Sequence, residues 1–495
     1  MSGPSAAPAP GGTATTRGFG ARLAGDSLVY GLGGVANQVV AVLLVPIYAR
    51  ELGPDGVGVT GVLNATISLA LMLAGLALPQ AFFRWYLREA QTHVERDRVL
   101  RTVLGMRLAA SLAGAALVLL AAVPLTAVLY DGAYLVVFLL VAPIVLFDSF
   151  NAIPLSFLRA ERRPRDYVVI SLTRAVTGTV LILGLVIGAG IGVMGVALGA
   201  AIAAGLSAAI GAWTLLRAGS VRPSLDRSLA RPMLGFALPL VPAAIAAWTL
   251  NLSDRPLLQA IGGDTGVVGV YTLGYTAGLV INALVIQPFA LAWGAAHWEI
   301  SRSEDAPPTF ARVLTWFLAI AAGVALLLSA LGTDAIRILA GDAFEASRFI
   351  VPFSAFAYVA YGAHVIAASG LSIVGRSRLV AVAMGIAAAA SIGLNLALIP
   401  FLGMYGAAIS TIAGYGLLVA ISGRLSQRHY PVPWQLGRAA VILVIAGVLS
   451  AAALLGPDHV AWRLLCVLAY PALLLGLRVV RVEGARTLLA VLRRR

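Results

Sequence analysis

Residues 248–275 read WTLNLSDRPLLQAIGGDTGVVGVYTLGY. An apolar run carries Asp254 and Arg255 side by side and breaks at a Gly-Gly-Asp turn, roughly 10 Å further on. It is then apolar again for more than twenty residues. A soluble core has room for few such segments, and this chain has many. Of its 495 residues 60% are hydrophobic and 11% charged, with a mean hydropathy of +0.93. Soluble domains carry about 25% charged residues, so lipid has to be the solvent for most of this surface.

Working outward from that stretch, apolar segments fall near 27–49, 57–83, 103–129, 133–158, 167–188, 193–216, 232–261, 266–298, 311–331, 347–374, 378–400, 403–423, 437–456 and 460–478. Each approaches or exceeds the ~20 residues that cross a bilayer as a helix. Short alternating strands are absent, and backbone hydrogen bonding in lipid then requires helices. The expected class is an all-α integral membrane protein with about fourteen transmembrane helices.

The formal net charge is +14, and all 35 basic residues are arginine. Of these, 29 lie in the N-terminal tail and in every second linker. That alternation places both termini in the cytoplasm by the positive-inside rule, and it fits a membrane surface rather than a nucleic acid. The single cysteine, Cys466, excludes an internal disulfide framework. No G-x-x-x-x-G-K-[ST] loop, H-E-x-x-H or Cys/His cluster occurs, so a non-enzymatic chain without cofactor or metal is expected.

Two blocks recur at one offset. The stretch 52-LGPDGVGVTG matches 261-IGGDTGVVGVYT, with Gly58 and Gly269 separated by 211 residues. The stretch 192-GVMGVALGAAIAAG matches 403-GMYGAAISTIAGYG at the same offset, each preceded by an arginine-rich loop. The expectation is a flexible tail over 1–23, an N-lobe of six helices over 24–217 and a cytoplasmic linker over 218–231. A C-lobe of six helices follows over 232–424, with two extra helices and an arginine-rich tail over 425–495. Six helices per repeat makes the repeats parallel, and such repeats enclose a site near the midplane.

The chain resembles the oligosaccharide flippases of the Wzx type, within the multidrug/oligosaccharidyl-lipid/polysaccharide exporter superfamily. The resemblance rests on 44-LVPIYARELGPDGVGV, on 237-ALPLVPAAIAAWTLNLSDRPLLQAIGGDTGVVGVYTLGY and on 375-GRSRLVAVAMGIAAAASIGLNLALIPFLGMYGAAISTIAGYG. It implies a V-shaped, two-lobed transporter in a bacterial inner membrane. It implies a cargo of undecaprenyl-pyrophosphate-linked oligosaccharide moved from the cytoplasmic to the outer leaflet, with polysaccharide polymerase and chain-length machinery as partners. It also implies a cationic cavity, with Arg84 in 79-PQAFFRWY matching an arginine usual in the family. The chain contains no lysine, so the lining cations must be arginines. A multidrug/cation antiporter and a lipid II flippase stand as alternatives in the same superfamily.

Candidate site residues are the charges and amides within spans. Arg255 is expected to attract an anionic head group with Asp254 and Asn251 orienting it; the alternative is a pair that locks its helix to a neighbour or reaches the interface. Arg174 and Asp148 lie at similar depth on consecutive antiparallel helices and are expected to pair. That pair is either a structural strut or an ion-coupling site centred on Asp148, and Arg174 is also a candidate, with Arg255 and Arg84, to hold the anionic cargo. His364 is a second candidate for coupling, against the plainer reading of hydrogen-bonded packing. Asn37 and Gln38 would meet sugar hydroxyls or a neighbouring carbonyl. Trp293 and Tyr275 are either packed aromatics or sugar-stacking rings.

Overall fold

The computed structural model describes residues 44–217, 219 and 223–479, and the backbone alone over 16–43. Among the described residues, twelve helices are long and apolar enough to cross a membrane. The first of these, Leu44–Glu89, is two passes, because Gly53 adopts φ 62° and the helix that restarts at Pro54 doubles back. Leu44 and Tyr48 line one cavity with Thr60 and Asn64, whereas a straight helix would hold residues 44 and 64 about 30 Å apart. Val460–Gly476 adds a shorter apolar helix of 17 residues, and the count reaches the expected fourteen.

In chain order the passes are α1 (16–52), α2 (54–89), α3 (His93–Tyr130), α4 (Leu135–Ala160), α5 (Pro164–Gly188), α6 (Gly192–Arg217) and α7 (227–262). The second half comprises α8 (Thr265–Ile300), α9 (Ala306–Ala340), α10 (Val351–Ile373), α11 (Ser377–Leu402), α12 (Met404–His429), α13 (Leu436–Leu455) and α14 (Val460–Gly476). The loops that open α3, α5, α7, α9, α11 and α13 form the arginine-rich face. The last helix, α14, is fastened to α9: the Tyr470 hydroxyl donates to the Ala319 carbonyl at 2.9 Å, and Arg463 bonds Asp334 at 2.5 Å and also Asp458.

The repeat has a geometric counterpart. A Cβ added to Gly58 would lie 2.0 Å from the Thr265 carbonyl oxygen, and one added to Gly269 would lie 1.9 Å from that of Pro54. Gly269 and Thr265 are the residues 211 positions after Gly58 and Pro54. Contact i to j is therefore repeated as contact j to i, the mark of a two-fold seam. The two lobes meet there through α2 and α8. Three hydrogen bonds also join them, from Trp248 to the Ala65 carbonyl (3.1 Å), Gln259 to that of Leu129 (3.0 Å) and Arg50 to that of Ile338 (2.8 Å). These lie from mid-depth to the face opposite the arginines, so the lobes form a V that closes on that face.

The seam between the lobes does not fall at residue 231. Arg227–Ala237 is an amphipathic helix whose Ala230, Met233 and Ala237 are buried in one cluster with Leu78, Phe82 and Leu100 of the first lobe. Asp226 caps it by accepting from the Ser228 N–H at 2.9 Å and pairs with Arg98. Burial of one apolar stripe holds this segment to the N-lobe, and α7 crosses to the C-lobe only after the 3-10 turn at Leu238–Leu240.

Candidate functional site

The Asp254–Arg255 pair sits at a break in α7. Pro256 has no N–H for the Leu252 carbonyl, so the helix is interrupted at Ser253 and restarts at Asp254. Arg255 Nη1 donates to the Asn251 carbonyl and to Asp254 Oδ1, each at 2.9 Å. The Tyr271 hydroxyl donates to Asp254, and Thr411 Oγ1 lies 3.3 Å from the same carboxylate. Tyr358 donates to the Asn251 side chain at 2.9 Å, and the Arg255 guanidinium lies 4.3 Å from the centre of the Tyr275 ring. Asp254 is 2% exposed and Arg255 5%. In this conformation the pair and Asn251 point into the packed interior of the C-lobe, between α7, α8, α10 and α12. There Arg255 Nη1, the Asp254 carboxylate and the Asn251 side chain all have partners within the protein.

The second pair has the opposite character. Arg174 Nε and Nη2 each donate to one oxygen of Asp148 at 2.9 Å, a side-on bidentate contact joining α4 and α5. The side chains are 28% and 21% exposed and border a cavity of about 520 Å³. Asn151, Tyr167, Ser171, Thr179 and Ser207 supply its other polar lining. Asn151 is fixed by a 2.8 Å bond to Ser207 Oγ. The exposed Arg159 stands towards the arginine-rich face, 6.0 Å from the Tyr167 ring and 5.1 Å from that of Phe83. A guanidinium fork in an open, polar space can exchange its partner, whereas the sealed Arg255 cannot without the lobe opening.

The remaining candidates stand apart from both pairs. Arg84 ends the helical stretch Leu78–Arg84, 4.9 Å from the Phe236 ring and 3.6 Å from Glu89, with its side chain 45% exposed. His364 is buried with Nδ1 2.9 Å from Ser422 Oγ, within the C-lobe. Trp293 is buried and donates to Ser369 at 2.8 Å, and Tyr275 is packed against Arg255, so neither ring offers a free face for sugar. The side chains of Asn37 and Gln38 lie outside the described part of the structure.

Two buried arginines are not among the sequence candidates, Arg107 and the Arg463 that pairs with Asp334. Arg107 lies 14 residues into α3 and is 4% exposed. It donates to the Gly75 carbonyl at 2.7 Å and to that of Ser149. α2 breaks at Leu76 and Ala77, which hold φ of 46° and 51°, and Arg107 takes up a carbonyl that the break leaves without an N–H. Tyr271 was also missed, although its spacing of four from Tyr275 puts both on the face of α8 that meets Arg255.

No curated protein matches the chain. Among solved structures, "Lipid II flippase MurJ, inward closed conformation" superposes with a TM-score of 0.68 at 14% identity, covering 90% of this chain and 97% of that one. An inward-facing multidrug resistance MATE family transporter of the MOP superfamily gives 0.58 at 17% identity, covering 82% and 95%. A eukaryotic MATE transporter gives 0.51 at 13% identity, covering 86% and 97%. At these identities the likeness is one of fold. The family described as "Polysaccharide biosynthesis protein" matches residues 23–293, more than half of the sequence, and the chain belongs to that family of multi-pass membrane proteins.

Proposed function

We propose that this protein is a flippase that moves an undecaprenyl-pyrophosphate-linked oligosaccharide from the cytoplasmic to the outer leaflet of a bacterial inner membrane by alternating access. The observation that carries this reading is the half-buried guanidinium of Arg174 in a polar cavity, within a chain of the polysaccharide biosynthesis family. A planar fork matches phosphate oxygens two at a time, and the lining amide and hydroxyls suit sugars. The arginine-rich face is the cytoplasmic one by the positive-inside rule. The V then opens towards the leaflet in which the cargo is made. Arg84 and Arg159, exposed on that side, attract the pyrophosphate before it enters. The absence from the sequence of a nucleotide-binding loop or metal motif supports a transporter without its own hydrolytic chemistry.

The fold shared with a lipid II flippase supports a second reading, with a peptidoglycan precursor as cargo. Both are tested by deleting the gene and extracting lipid-linked sugars from the inner leaflet. Accumulation of a polysaccharide repeat unit, cleared by re-expression, is expected. Accumulation of the peptidoglycan precursor selects the second reading, and accumulation of neither removes both.

A further inference from the structure

Arginines at membrane depth are used in two ways here. Arg107 and Arg255 donate to main-chain carbonyls at helix breaks and are sealed, at 4% and 5% exposure. Arg174 instead has one edge of its fork taken by a single carboxylate, with both partners reaching an open cavity. A pair that only braces α4 against α5 gains nothing from that access, and Arg107 and Arg255 lack it. A carboxylate held side-on by Nε and Nη2 presents two oxygens as a phosphate does.

We propose that Asp148 is a built-in stand-in for the phosphate of the cargo. It occupies the Arg174 fork while the cavity is empty, yields it when a phosphate group enters, and reclaims it to drive release. This rests on the reading above that the cargo carries pyrophosphate. The exchange keeps Arg174 paired throughout, so no state has to hold an uncompensated cation at membrane depth. Displaced from the fork, the Asp148 carboxylate turns to Ser171 and Tyr167 in the same cavity. Arg159, beside Tyr167, gives the incoming anion its last contact before the fork. Without an internal competitor, an anion bound bidentately to a fixed guanidinium leaves slowly, and affinity differences of this kind appear mostly in the off-rate. Asp148 thus opposes binding and favours turnover.

The test measures binding of two probes, farnesyl pyrophosphate and inorganic pyrophosphate, to the purified full-length chain in nanodiscs, for wild type, Asp148→Asn, Asp148→Ala and Arg174→Gln. Removing a partly exposed bidentate competitor should tighten farnesyl pyrophosphate binding by about fivefold to tenfold in both Asp148 variants. Arg174→Gln should lose it. In cells the Asp148 variants should clear lipid-linked glycan more slowly than wild type despite the tighter binding. Unchanged or weaker binding in folded Asp148 variants overturns the proposal, as does failure of both variants to fold, since either identifies a strut. Binding of inorganic pyrophosphate alone also overturns it, because the site would then serve a soluble anion. The flippase reading is judged separately by glycolipid accumulation in the null strain. If glycolipid accumulates but binding does not tighten, only the role of Asp148 falls. If nothing accumulates, the cargo falls and this role with it.

Discussion

Arg255 has its guanidinium enclosed by Asp254, the Asn251 carbonyl and the Tyr275 ring, and that enclosure decides what its loss does. Arg255→Ala leaves a carboxylate at 2% exposure without its cation, a change that costs about 3–5 kcal/mol when one partner of a buried pair is removed. The variant should melt well below wild type in detergent and reach the membrane at a reduced level. A wild-type melting temperature combined with lost transport would instead give Arg255 a direct role in cargo binding. Arg174→Ala should behave in the reverse way. Its pair is partly exposed, so the cost to stability is about 1 kcal/mol or less, while transport should be lost; a large drop in melting temperature would mark it as structural. The depth of both pairs was legible in the sequence from helical rise alone, and so was the partnership of Asp148 with Arg174. Which way Asp254 and Arg255 face was not. A lobe interior and a cavity can both take a charged pair, and the partners that close this one, Tyr358 and Thr411, come from helices more than 100 residues away.

At two helix interruptions, in α2 and α7, an arginine donates to a main-chain carbonyl beside the break. Arg107 bonds the Gly75 carbonyl beyond which α2 breaks, so Arg107→Leu should orphan that group and the Ser149 carbonyl. Each orphaned buried acceptor costs about 1–3 kcal/mol, and the loss should be read as a lower melting temperature. Arg107→Lys should recover part of it, and a neutral Arg107→Leu would show that water fills the break. The N-terminus of α3 is held by a different device. Thr92 and Glu95 form a capping box, and the Thr92 and Gln91 backbone N–H groups hold the Glu95 carboxyl below its usual range. A depressed carboxyl contributes stability that is present above the unfolded value and is lost as pH falls through the folded one. Hydrogen exchange in the first turn of α3 should therefore stay slow below the ordinary pKa near 4.5 and quicken only in stronger acid. Thr92→Ala should raise it at neutral pH, for a cost of about 1 kcal/mol. The helices and their number were legible because apolar length determines them. Arg107 was not, since one arginine following five in a loop looks like a sixth until the start of α3 is placed at His93.

At the scale of the molecule, the two lobes touch across a seam so close that it admits no side chain at Gly58 or Gly269. The seam lies at the start of α2 and α8, on the face opposite the arginines, so it is the contact that has to part if the V is to open the other way. Because the two contacts are related by the repeat, Gly58→Ala and Gly269→Ala should have equal effects. Each methyl would stand about 2 Å from a backbone carbonyl oxygen, and a main chain cannot step aside as a flexible side chain can, so α2 and α8 must separate. Cys466 is the only cysteine, and Cys466→Ser therefore supplies a background free of thiols. In it, Thr272→Cys reports on the seam, since Thr272 packs against Gly61. A membrane-impermeant maleimide applied from outside should label it slowly in the parent and at least several-fold faster in either alanine variant. Faster labelling in one variant alone would mean that the repeat is a relic of sequence, and unchanged labelling in both would place the gate elsewhere.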